Sequence, residues 1–129
     1  MTSSVRASKC YNKGMKAAII TIGDEILLGQ ILDTNSQFIA RELTKLGAET
    51  VEMRSVGDSR VGILNALENA LKIADTVIIT GGLGPTKDDI TKNALAEFFH
   101  TTLEFNPQVY KWLEELFAAN PARLNAYNK

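Results

Sequence analysis

Three short strand-like runs, each closed by a glycine, set the frame of this chain: KAAIIT (16–21) ahead of Gly23, TVEMRSV (50–56) ahead of Gly57, and DTVIIT (75–80) ahead of Gly81. The first and third are apolar and rich in β-branched residues, the pattern of strands buried on both faces. The third is so uniformly apolar that a central place in a parallel sheet is expected for it. Between the runs lie segments with helical spacing. NSQFIARELTKL carries Phe38, Ile39, Leu43 and Leu46 on one face, with Thr34 or Asn35 as N-cap and Gly47 as the C-terminal stop. Ser59 caps a second helix with Ile63, Leu64, Leu67, Ala70 and Leu71 at a 3.6-residue period. A third helix is expected from about Ile90 to Phe99, followed by an extended piece, TTLEF. A last helix opens at Asn106-Pro107, and its stripe of Val109, Trp112, Leu113, Leu116 and Phe117 reads as core. Alternating strands and helices predict an α/β layered domain with a mostly parallel sheet.

Size and charge narrow the function classes. A chain of 129 residues fits one domain with a core of its own. A formal net charge of −1 gives no electrostatic reason to expect nucleic acid or an anionic membrane as partner. No apolar run approaches the length of a bilayer span. The single cysteine, Cys10, excludes an intramolecular disulfide framework and suits a reducing, cytoplasmic setting. Residues 1–14, MTSSVRASKCYNKG, carry three basic residues, no acid and no signal-peptide core. They read as a disordered leader or tag ahead of a domain over 15–129. The ending LNAYNK offers no closing strand, so a C-terminally incomplete domain is expected.

The chemistry concentrates in TGGLGPTKDDIT, Thr80 to Thr91. In open α/β sheets ligands sit outside the carboxyl ends of the strands, where the topology switches. Gly23-Asp24-Glu25, Gly57-Asp58 and Gly81 to Asp89 all have that address. The third loop is not a Walker A motif, which needs Gly-Lys-Ser/Thr, nor a dinucleotide fingerprint, since Lys87 stands where the third glycine belongs. What remains is a run of glycines able to turn amides toward an anion ahead of a helix N-terminus. Aspartates oppose that: a carboxylate about 4 Å from a phosphate oxygen costs roughly 4 kcal/mol at an effective dielectric near 20. A divalent cation between them reverses the sign, because Mg²⁺ is typically held by one or two carboxylates plus substrate phosphates. The expected ligand is a phosphate or diphosphate that arrives with a metal. Lys87 reads as a surface lysine, and His100 as a charge complement to a helix C-terminus.

The stretches AAIITIGDEILLGQILDTNSQFIARELTKLG and TGGLGPTKDDIT closely resemble the N-terminal domain of the competence/damage-inducible protein A (CinA) family, within the molybdopterin-binding superfamily that includes the Mog and MoaB proteins. The resemblance runs from Met15 to the end. It implies a three-layer α/β/α fold, homo-oligomers, and metal-dependent hydrolysis of the pyrophosphate in ADP-ribose or a related dinucleotide. Pterin-phosphate binding and adenylylation, the chemistry of Mog-type relatives, is the alternative; a non-catalytic nucleotide-binding module is a third possibility. By motif, Asp58 and Asp89 match acidic residues with catalytic or metal roles, with Asp88 beside them. Gly81, Gly82, Gly84 and Thr86 match the phosphate-contacting loop, which also takes in Thr80, Leu83 and Pro85; Gly23, Asp24 and Glu25 match the GDE motif, and Asn35 follows it. Mog-type loops read Thr-Gly-Gly-Thr-Gly, so Leu83 removes a hydroxyl and favours the CinA side. A divalent metal (Mg²⁺, Mn²⁺ or Co²⁺) is the implied cofactor.

Overall fold

A computed structural model of the chain describes residues 14–84, 86–87 and 89–123. The predicted leader, Cys10, Pro85, Asp88 and the terminal LNAYNK fall outside these, apart from Gly14. Strand β1 (Lys16–Ile22) lies in the middle of a three-stranded parallel sheet, flanked by β2 (Glu49–Val56) and β3 (Thr76–Thr80) in the order β2-β1-β3. From Ala17 to Ile22 no residue of β1 is more than 4% exposed. Its pleat sorts its side chains between two cores. Ala18, Ile20 and Ile22 meet Ile63, Ala66 and Ala70 of helix α3 (Arg60–Ile73) and Ala94 of helix α4 (Thr91–Phe98). Ala17 and Ile19 meet Leu43, Ile39 and Ala40 of helix α2 (Thr34–Lys45) on the other face. The result is an α/β fold with helices on both faces of a small parallel sheet.

Predicted central, β3 is instead an edge strand among the described residues, and all five of its residues are only half-buried. Its apolar run signalled burial of its faces; the order of the strands is a separate matter, decided by the two crossovers that leave β1 between its neighbours. The β1–β2 pairing slips by one residue between Ala17 and Ala18, where Thr50 faces the first and Glu52 the second. TTLEF pairs with no strand.

The cap of helix α2 lies one residue before Thr34 and two before Asn35, the two predicted caps. Asp33 is the N-cap: its Oδ1 accepts the Ser36 N–H at 3.0 Å. Its Oδ2 accepts the Ser36 hydroxyl at 2.6 Å and lies 2.8 Å from Oγ1 of Thr21, which is itself 2.6 Å from Ser36 Oγ. Thr21 and Ser36 are both buried, so this cap also satisfies the one polar side chain that β1 sends toward α2. Gly47, with φ +79°, terminates the helix as expected. Of the expected apolar face, Leu43 and Ile39 pack, while Phe38 (65%) and Leu46 (82%) stay exposed. Ser59 caps α3 by accepting the Gly62 N–H, and Arg60 pairs with Glu97 to tie α3 to α4.

The largest departure is helix α5 (Pro107–Leu116). Its start is as predicted, with Asn106 Oδ1 accepting from the Gln108 and Val109 amides and Pro107 in the first turn. Its stripe is not core: no residue of the helix is buried, and Trp112 is 58% and Leu116 72% exposed. The amphipathic period fixes which side of a helix is apolar; whether another layer meets that side depends on the rest of the fold.

Two stability tests follow. Burial raises the Asp33 pKa, but hydrogen bonds from Ser36 and Thr21 outweigh it and hold the carboxyl below its ordinary 3.8. A depressed folded-state pKa means that this stabilisation is fully present above that value and is lost as the pH falls through the lower folded-state one. Asp33→Ala is expected to cost about 1–2 kcal/mol in denaturant melts at neutral pH, with a smaller difference from wild type in acid; equal stability would refute the role of the network. Gly81 has φ +89°, and a β-carbon there would lie 2.0 Å from the Ile22 carbonyl oxygen, whereas one on Gly29 (φ +70°) would meet nothing within 4 Å. Gly81→Ala should therefore cost several times the roughly 1–2 kcal/mol expected for Gly29→Ala, with comparable losses counting against a backbone contact at Gly81.

Candidate functional site

The chain leaves β1 toward α2 on one face and leaves β3 toward α4 on the opposite face. The carboxyl ends of these adjacent strands therefore form the switch point at which open α/β sheets hold ligands. Both loops begin there with glycine, and the third acidic loop, after β2, stands beside them.

After β1, Gly23 is buried and its N–H donates to the Val56 carbonyl at 2.9 Å, fastening the turn to the end of β2. Its missing side chain leaves room for the Glu25 carboxylate, which would lie 2.4 Å from a β-carbon. Asp24 and Glu25 open a four-residue helix, α1 (Asp24–Leu27), within what the sequence presented as loop. Asp24 and Asp58 clasp each other: the Asp58 N–H donates to Asp24 Oδ1 at 3.0 Å, and the Asp24 N–H to Asp58 Oδ2 at 3.3 Å. Gly57 gives the space for this, since a β-carbon there would lie 2.6 Å from Asp24 Oδ1. Two of the three predicted loops thus meet in a direct contact. Asn35 lies exposed on the first turn of α2.

After β3, Thr80 pairs with Thr21 and the chain turns through two left-handed glycines, Gly81 (φ +89°) and Gly82 (φ +61°). Gly81 is pressed on the end of β1, as described. A β-carbon on Gly82 would lie 2.2 Å from Thr91 Oγ1, and one on Gly84 would lie 2.7 Å from Asp89 Oδ2. Each glycine is filled by a neighbour, so the loop is a packed object rather than a slack one. Leu83 projects outward, and Thr86 and Lys87 are exposed.

Asp89 closes the loop. Its Oδ2 accepts the Thr86 N–H at 3.1 Å and the Thr86 hydroxyl, while its own N–H donates to the Thr86 carbonyl at 3.1 Å. The Thr86 hydroxyl bond is the largest influence on its pKa, which is lowered despite partial desolvation. Asp89 is therefore an anion throughout the neutral range, able to bind a cation or accept hydrogen bonds but not to donate a proton. Among the described residues, no three or more His, Cys, Asp or Glu gather as a metal cage.

Thr91 and Asp33 are the residues that sequence reasoning missed. Thr91, fully buried, donates its hydroxyl to the Gly81 carbonyl at 2.9 Å and its N–H to the Gly82 carbonyl at 3.2 Å. Nothing in TGGLGPTKDDIT separates it from an ordinary first-turn threonine. Asp33 was legible: Asp-Thr-Asn-Ser puts an acceptor three residues ahead of a serine amide, the spacing of an N-cap.

Comparison with known proteins agrees with this architecture. Residues 18–126 match the family described as a probable molybdopterin binding domain. A CinA-like protein of Cytophaga hutchinsonii is 52% identical over 118 residues, covering 92% of this chain and 28% of that protein. A CinA-like protein of Flavobacterium psychrophilum is 53% identical over 102 residues, 79% of this chain and 24% of its own. The chain thus spans about a quarter of the length of these curated relatives. Among solved structures, CinA of Thermoplasma acidophilum, a protein of unknown function, superposes with a TM-score of 0.73 at 32% identity, covering 83% of this chain and 63% of that one. MoaB of Pyrococcus furiosus, a tungsten cofactor synthesizing protein, gives 0.67 at 31% identity, covering 86% and 68%. With the doubly covered sheet and its glycine-rich rim already in view, these matches place the chain in the CinA family, as its N-terminal molybdopterin-binding-like domain.

Proposed function

We propose that this domain is a divalent-metal-dependent pyrophosphohydrolase of ADP-ribose or a related nucleotide diphosphate. The observation that carries the proposal is the juxtaposition at one switch point of a rigid Gly81–Gly82 turn, suited to close approach by an anion, with carboxylates on the neighbouring loops. Glycine amides alone suit an anion; the carboxylates make sense beside it only with a cation between.

The donor set fits such a cation. Asp24 Oδ1 and Asp58 Oδ2 are each occupied by one backbone N–H, and the second oxygen of each carboxylate has no hydrogen-bond partner among the described residues. Hard carboxylate oxygens suit Mg²⁺ or Mn²⁺, which complete their shells with water and phosphate oxygens rather than with a closed protein cage. Asp58 would hold the metal, with Asp24 and Glu25 supporting. Asp89 and Asp88 would serve from the other loop, where Asp89 also keeps Thr86 in place. A bound cation would supply positive charge to the diphosphate and lower the pKa of a water. Hydrolysis would add one water across the P–O–P bridge, its oxygen joining one phosphorus as the bridge breaks, to give AMP and ribose 5-phosphate. Asp89, ionised, is suited to binding and positioning; it has no proton to give the leaving group.

Pterin-phosphate binding is the second reading, favoured by the likeness to the Pyrococcus MoaB. Leu83, 54% exposed at the tip of the turn, stands against it, because it offers no hydroxyl to a polar ligand. Oligomerisation is also inferred, in keeping with the apolar side chains Phe38, Trp112 and Leu116 at the surface.

Purified protein should release AMP from ADP-ribose with Mg²⁺, Mn²⁺ or Co²⁺ and cease to do so with chelator. Asp58→Asn and Asp89→Asn should each lower turnover by about 100-fold or more. The melting temperature of Asp89→Asn should barely change, because an amide oxygen still accepts from Thr86. Metal-independent turnover, or full activity in both variants, would overturn the assignment. Tight binding of a pterin diphosphate analogue without hydrolysis of ADP-ribose would transfer the domain to the second reading.

A further inference from the structure

We propose that Thr91 is a positioning residue of the diphosphate loop, aiming the amide N–H groups of Gly82 and Leu83 together at the bound anion. This rests on the reading of that loop as a diphosphate site. A threonine at an N-cap accepts a helix N–H with its hydroxyl, but Thr91 stands one residue further in, after the N-cap Ile90. Its hydroxyl donates to the Gly81 carbonyl at 2.9 Å, while its N–H donates to the Gly82 carbonyl at 3.2 Å. Within a trans peptide plane the N–H points opposite to the C=O. Drawing the Gly81 carbonyl to Thr91 therefore turns the Gly82 N–H away from it. Drawing in the Gly82 carbonyl turns the Leu83 N–H away likewise.

Two consecutive amides thus face the side away from α4, and neither has a hydrogen-bond partner among the described residues. Successive N–H groups directed at one point form an anion-binding concavity. The glycines are the condition for it. Both φ values are left-handed, and any side chain on Gly82 would take the place of the Thr91 hydroxyl. Thr91 is fully buried, so its hydroxyl touches no ligand and acts only through the Gly81–Gly82 peptide plane, while its backbone N–H holds the Gly82–Leu83 plane.

Titration of the full chain with inorganic pyrophosphate, followed by calorimetry and by amide ¹H–¹⁵N spectra, tests the proposal. In the wild type the Gly82 and Leu83 amide signals should move with saturation. Thr91→Val keeps the volume but loses the hydroxyl donor, and should weaken binding about tenfold. Thr91→Ser keeps the donor and should bind within about twofold of wild type. A purely structural role would lower the melting temperature of both variants without separating their pyrophosphate affinities, and that result overturns the proposal. So does a valine variant that binds like wild type, or a wild type that binds no pyrophosphate or binds it with those two signals unmoved. Should Thr91→Val not fold, the wild-type spectra and the serine variant still decide. Pyrophosphate capture on these amides without AMP release from ADP-ribose would leave the role of Thr91 standing and remove only the hydrolase reading.

Discussion

The rim of this domain depends on how closely two backbones approach each other. The Ile22 carbonyl at the end of β1 occupies the place where a β-carbon on Gly81 would be. Only a residue without a side chain, in a left-handed conformation, lets the chain leave β3 against the end of β1. From that contact the rest follows in order. The turn continues left-handed through Gly82, the Thr91 hydroxyl fills the space that a second side chain would take, and α4 starts in fixed relation to the sheet. Ala94, one turn further along α4, then joins the core under β1. Loop geometry and core packing are in this way coupled through a few atoms.

The same strand carries a second constraint on its opposite face. A strand buried on both sides is expected to be apolar throughout, yet β1 places Thr21 against α2. The hydroxyl is tolerated because Asp33 and Ser36 supply partners at hydrogen-bonding distance. A buried polar group without partners would cost about 1–3 kcal/mol, so the network is tolerable only if complete. Its position matters for function, since it pins the chain returning from the Gly23–Leu32 excursion one residue before the end of β1. The rim is thus anchored from both faces of one strand, by α4 through Thr91 and by α2 through Asp33.

Most of the acidic residues at the rim serve as loop ties. Asp24 and Asp58 each accept the other's backbone amide, and Asp89 accepts from Thr86. A carboxylate engaged through one oxygen keeps lone pairs for a cation, and the ties hold it in orientation before any ligand arrives. Such preorganisation limits the reorganisation needed on binding. It also explains why aspartate recurs: its short side chain reaches an amide two or three residues away, or on a neighbouring turn, more readily than glutamate.

What the sequence by itself determined is what depends on local period and local chemistry. The three strands, the helices between them, the caps at Ser59 and Asn106 and the stop at Gly47 are short-range events, settled within a turn or two of chain. The meeting of the glycine loops at the carboxyl ends of the strands was legible too, because parallel connections put all such loops at one edge. Tertiary structure alone decided which strand is central, that α5 presents its stripe outward, and that the buried Thr91 faces Gly81 rather than capping its own helix. Each of these depends on which distant segments lie alongside one another. A hydrophobic pattern states that a face needs cover and a polar residue that it needs a partner, but the cover and the partner come from another part of the chain.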